Sequence, residues 1–114
     1  MNEMDFAGKW RVTKALGLVK DYLSLTPDPH VQFTVKNKKE VDGSYHFGAQ
    51  DGYMDGRFET DKEGNLQLMF SFEGSDETTE VSGCGTATLG SQDTLLLKMH
   101  YHMGNTSTFI CKRN

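Results

Sequence analysis

Cysteine and proline are scarce in this chain, with two of each in 114 residues. Two cysteines cannot make a disulfide scaffold. Cys84 and Cys111 fall on strand-like runs six and eight, which are not neighbours in a meander. No disulfide between them is expected, and free thiols suit a reducing compartment. Two prolines exclude a linker-rich or disordered chain. No stretch approaches the about 20 apolar residues that cross a bilayer as a helix. Residues 1–5 lack both a basic segment and an apolar run, so no signal peptide is expected. Positive charge is not in excess: the net charge is −4 with the signs interspersed, which leaves no basic stripe for nucleic acid. Together these absences lead to the expectation of a cytoplasmic protein with no membrane or nucleic-acid partner. It is expected to form one domain over residues 1–114, long enough to bury about two-thirds of its unfolded surface.

Motifs of catalysis are also missing. There is no Gly-x-Ser-x-Gly, no glycine-rich phosphate loop before a helix, and no Cys-x-x-Cys. Ser44, Ser71, Ser82 and Ser107 lie in strand-like runs without a base at a telling spacing. Residues 61–65 lack the ligand spacing and terminal glutamate of a calcium loop. The acidic tract 73–80 reads as a solvated hairpin. No catalytic residue, metal ligand set or cofactor is therefore assigned.

What the chain does have is alternation. From residue 30 onward apolar side chains recur with period two, the mark of strands with one buried and one wet face. Strands are predicted over 8–14, 30–36, 41–48, 53–60, 65–73, 78–89, 94–103 and 106–113. Turns are predicted at 37–40, 50–52, 61–64, 74–77, 91–93 and 104–105. Residues 15–25 carry apolar residues at helical spacing and predict a short helix or flap after strand one, ended by Pro27 and Pro29. Eight antiparallel strands of this kind close most easily as an up-and-down barrel. A two-sheet sandwich is the alternative. A lone Trp10 at the start and Arg113 at the finish fit closure, because the first and last strands then lie side by side and the guanidinium can cover the indole.

The in-phase residues form the predicted interior: Trp10, Val12, Phe33, Tyr45, Phe47, Met54, Phe58, Leu68, Phe70, Phe72, Met99, Tyr101 and Phe109. Nine of the chain's twelve aromatics fall in this set. Two readings stay open. In one, Phe33, Tyr45, Phe47, Phe58, Phe70, Met99 and Tyr101 line a cavity for a small apolar or aromatic molecule, and Gly43, Gly56, Gly83 and Gly85 make room for it. In the other, the rings fill an interior only just wide enough for its own side chains. The protein would then act through its outer face, where Leu96 and Ile110 make an apolar pair suited to a homodimer. Trp10 and Arg113 are structural in both. Of the four histidines, His46, His100 and His102 are placed outward, with His100 and His102 sharing one strand face. A register slip of one residue would turn that pair inward. An enzyme or metal protein built on these three is a further alternative.

Phe6-Ala7-Gly8-Lys9-Trp10-Arg11-Val12 resembles the opening of the calycin superfamily, which includes lipocalins, fatty-acid-binding proteins and avidins. The resemblance rests on Gly8-x-Trp10 near the first strand and on Arg113 at the position of the last-strand cation that packs on the tryptophan. Residues 103–108 look like the final hairpin of fatty-acid-binding proteins, and Phe6 and Asp21-Tyr22-Leu23 are similar to their start. This likeness implies an antiparallel barrel, lipocalin- or avidin-like, and small hydrophobic ligands. Phe109-Ile110-Cys111 stands where fatty-acid-binding proteins carry Arg-x-Tyr for a carboxylate, and the single tryptophan departs from avidins. The chain looks like a compact bacterial-type lipocalin-like protein.

Overall fold

A computed structural model describes residues 3–16 and 27–113. A 3-10 turn over Glu3–Phe6 precedes eight strands: β1 Gly8–Leu16, β2 His30–Asn37, β3 Glu40–Phe47, β4 Gln50–Thr60, β5 Leu66–Asp76, β6 Thr79–Leu89, β7 Thr94–Tyr101 and β8 Thr106–Arg113. Each strand pairs antiparallel with the next, and β1 pairs with β8, so the sheet is a closed up-and-down barrel. Closure gives each of the described strands a neighbour on both sides. The helix or flap expected after strand one falls mostly on residues 17–26, outside the described residues. Its first two positions, Ala15 and Leu16, instead continue β1, paired with Phe109 and Thr108 after a bulge at Thr13.

Side chains alternate in and out along each strand, as the period-two pattern requires. Of the predicted interior set, Phe58 and Tyr101 are half-buried and the rest are buried. Val31, Val41, Ala87, Leu95, Leu97 and Cys111 complete the core.

Two predicted turns are in the wrong place, for one reason. Residues 50–52 are not a turn: Phe47 pairs with Gln50, so the loop is Gly48-Ala49, and Gly48 carries the positive φ of 58°. Gly74 is not a turn residue either, because β5 runs on to Asp76 and the loop is Glu77-Thr78. Gly52 and Gly74 are register partners on β4 and β5. A Cβ built on Gly52 would sit 2.5 Å from the Tyr45 ring, and one on Gly74 would sit 2.7 Å from the Tyr45 hydroxyl. These glycines are the seat of a tyrosine ring. Local sequence reads them as turn formers because nothing local announces the ring.

Cys84 and Cys111 are on β6 and β8 and are free. Cys84 is exposed. Cys111 is buried, and burial pushes its thiol up to about 12. A disulfide reagent under native conditions is expected to label Cys84 quickly and Cys111 only on unfolding. Two fast thiols would contradict this placement. The sign of the linkage also follows. Above the ordinary thiol value of 9.0 the unfolded chain loses this proton while the folded chain keeps it. Cys111 therefore withdraws stability as the pH rises from 9.0 toward about 12.

Candidate ligand site within the barrel

The two ends of the barrel differ in chemistry. At one end Trp10 is fully buried, its indole nitrogen donates to the Phe6 carbonyl at 2.9 Å, and the Arg113 guanidinium carbon lies 3.9 Å from the ring centroid. Arg113 also donates to the Ala7 and Asp5 carbonyls. The expected partnership of first strand and last cation is present, since Trp10 and Arg113 are register partners. Phe6 and Phe58 meet edge to face at 5.1 Å, at the same end. Phe58, predicted to touch a ligand, thus packs against the N-terminal turn instead of facing the opposite mouth.

Toward the other end a chain of rings runs through the interior. Phe109 meets Phe47 at 4.6 Å, Phe47 stacks on Tyr45 at 5.2 Å, Tyr45 meets Phe72 at 5.9 Å and Phe72 meets Tyr101 at 5.2 Å. Phe70 joins through Phe72 at 6.3 Å. The structure brings Tyr45, Phe47, Phe70 and Tyr101 together and adds Phe72 and Phe109, interior residues that were not among the predicted ligand contacts. Phe33 lies over Gly43, where a built Cβ would be 3.0 Å from its ring. Met99 is buried opposite Ser107.

The interior glycines do not leave open space. A Cβ on Gly85 would fall 2.7 Å from the Phe70 ring, and one on Gly83 would fall 2.9 Å from the Phe72 ring. The expectation that Gly43, Gly83 and Gly85 enlarge a cavity is corrected: the missing side-chain volume is taken by aromatic rings from the neighbouring strand. A Cβ on Gly56 would likewise meet Leu68 at 3.0 Å.

Polar groups inside the barrel concentrate at the mouth opposite Trp10. Gln50 and Ser107 are the buried polar residues among those described. The Tyr101 hydroxyl donates to the Gln50 side-chain oxygen at 3.0 Å, while the Ser107 hydroxyl is buried without a hydrogen-bond partner. Gln50 opens β4, Tyr101 closes β7 and Ser107 lies one residue into β8, so all three belong to one end. Sequence reasoning missed Gln50 because it was read as a turn residue. It saw Ser107 only as a nucleophile lacking a base. The available signal was a polar residue at an inward phase of an otherwise apolar strand face.

The predicted histidine set does not assemble. His46 is on β3 and His100 on β7, four strands apart in a ring of eight. His100 is outward as expected, with Nδ1 2.9 Å from the Thr106 hydroxyl. His102 does not share its strand face, because β7 ends at Tyr101 and His102 lies in the following turn. The register instead pairs His46 with His30. Leu96 and Ile110 are register partners on the outer face, each half-buried.

No protein-family model matches the chain, and no curated protein matches it. Among solved structures it is similar to a Schistosoma mansoni fatty acid binding protein in complex with arachidonic acid, at a TM-score of 0.51 and 13% identity, with 96% of each chain covered. At that identity the likeness is one of fold: a closed antiparallel barrel similar to that of the fatty acid binding protein.

Proposed function

We propose that this protein is a non-catalytic carrier of a small amphipathic molecule, held at the mouth opposite Trp10. The observation that carries this reading is the confinement of Gln50, Tyr101 and the unpartnered Ser107 hydroxyl to one end of an apolar interior. A buried hydroxyl with no partner is destabilising by about 1–3 kcal/mol. A ligand hydroxyl or carboxyl that bonds to it recovers that loss. The apolar body of such a ligand would lie against Phe47, Phe72 and Phe109. The fold shared with a fatty acid binding protein supports the general role. The packed middle of the barrel argues for a shorter ligand than a long acyl chain threaded to the Trp10 end.

The test is titration with dansylated carboxylic acids of short and long chain, the short one expected to bind, together with native mass spectrometry of the protein from its own host. Micromolar binding is expected. Ser107→Val and Gln50→Leu should each weaken it by about three- to ten-fold. No binding and no co-purifying small molecule would remove the carrier, and unchanged affinity in both variants would remove this mouth as its site.

The second reading is a filled barrel that acts through its outer face as a homodimer. It is favoured by the rings seated on Gly52, Gly74, Gly83 and Gly85 and by the Leu96–Ile110 pair. Light scattering separates the two: a monomer at high concentration excludes the dimer.

A further inference from the structure

We propose that Tyr53 and the outer sheet face around it dock an extended peptide segment of a partner protein that carries arginine at alternate positions. Tyr53 is outward on β4 and 75% exposed, and no other aromatic ring among the described residues is exposed to that degree. Its side chain borders three open clefts, of about 440, 550 and 380 Å³. Asp51, Asp55, Glu73 and Glu80 line these clefts, and no lysine or arginine does. The face is therefore an aromatic ring set among carboxylates, and it is separate from the barrel interior.

Register explains the arrangement. Glu73 is directly opposite Tyr53 on β5, and Asp55 follows two residues along β4 on the same face. Glu80 is opposite Ser75 on β6, which places it diagonal to Glu73, where cross-strand neighbours are about 7–8 Å apart. Asp51 is tied to His46. Asp55, Glu73 and Glu80 are exposed, and among the described residues none of the three has an ion pair. The nearest outward cations of β4 and β7 stand further along the barrel, where Arg57 pairs with Glu59 and Lys98 lies opposite Thr86. Carboxylates held this close repel one another, and a cationic partner removes that repulsion.

The chemistry of the face selects its partner. A guanidinium lies flat on an aromatic ring and takes a carboxylate with two parallel N–H donors, which an ammonium does not do. Arginine is therefore preferred to lysine. Along β4, residues on one face recur about every 6.5–7 Å, the spacing of alternate residues in an extended peptide. One arginine over Tyr53 thus sets the next beside Asp55. Strands β4, β5 and β6 are each hydrogen-bonded on both sides, so the partner cannot add as a further strand. Side chains carry the binding, which makes it moderate in strength and sensitive to salt.

The experiment is fluorescence anisotropy of a fluorescein-labelled peptide of alternating arginine and threonine, titrated with the full-length protein at low salt. A Kd of about 10–100 μM is expected, rising as salt is added. Tyr53→Ala should weaken binding by about three- to five-fold. Glu73→Gln combined with Glu80→Gln should weaken it by about ten-fold or more. Glu59→Gln combined with Glu63→Gln removes the same charge away from this face and should change affinity by less than about two-fold. The same peptide with lysine for arginine should bind about three-fold more weakly or worse. No binding at low salt, wild-type affinity in Tyr53→Ala, an equal loss in the control pair or equal binding of the lysine peptide would each overturn the proposal. All five substitutions are at exposed positions, and circular dichroism melts keep a folding defect from being mistaken for lost docking.

Discussion

Trp10→Ala is expected to lower the unfolding free energy by about 3–5 kcal/mol, the range for truncating a large buried aromatic. Three consequences add in the same direction. The indole is fully buried, so its removal opens a cavity in the barrel floor. The Phe6 carbonyl loses the donor that reaches it at 2.9 Å. The guanidinium of Arg113 loses the ring 3.9 Å beneath it. Because Arg113 also holds the Ala7 and Asp5 carbonyls, the N-terminal turn loosens with it. Trp10→Phe is milder: it keeps a ring beneath the guanidinium but removes the N–H and part of the indole's volume, for an expected loss of about 1–3 kcal/mol. Arg113→Ala should cost less than Trp10→Ala, since the guanidinium is exposed and a cation over a ring at an exposed site contributes about 0.5–1 kcal/mol. Urea denaturation followed by circular dichroism measures all three. A loss below about 1 kcal/mol for Trp10→Ala would mean that the floor is not what closes the barrel.

Gly85→Val should destabilise by about 3 kcal/mol or more, at the upper end of overpacking effects. A Cβ at this position would lie 2.0 Å from the Lys98 carbonyl oxygen and 2.7 Å from the Phe70 ring. The ring has some freedom to rotate, but the carbonyl is part of the β6–β7 ladder and moves only if those strands separate. Gly90→Ala is the matched control, because its new Cβ would meet nothing closer than 3.8 Å. That substitution should change stability by no more than about 0.5 kcal/mol. Phe70→Leu supplies a further arm. With the ring gone, Gly85→Ala should cost less than it does in the wild type, and the double-mutant cycle reads the coupling between ring and glycine. If Gly85→Val unfolds at the same denaturant concentration as Gly90→Ala, the interior has more room than the structure gives it, and the long-chain version of the carrier regains support.

These two predictions also show where sequence reasoning works and where it stops. Alternation along 66–72 and 95–101 placed Leu68, Phe70, Phe72 and Met99 inward without help, because the two-residue period of a strand is a local property. The pairing of Trp10 with Arg113 was legible too, since a meander of even strand number brings its ends together if it closes. Gly52 and Gly74 were misread as turns for a physical reason. Glycine is favoured both where φ is positive and where another residue must come close, and only the second condition holds at these two positions. The approaching group is the Tyr45 ring, on another strand, so no window around residue 52 or 74 contains the information.

The candidate sites divide in the same way. The phase of residues along each strand, the resemblance of residues 6–12 to a calycin opening and the count of aromatics together pointed to a closed barrel with a ring-rich interior over the sandwich, because each is read from the chain itself. Which rings touch, whether an interior glycine is a void or a seat, and that His46 stands beside His30 instead of His100 were decided by register across strands. Register is set by hydrogen-bond ladders and by packing between residues far apart in sequence, and it exists only once the sheet has closed on itself.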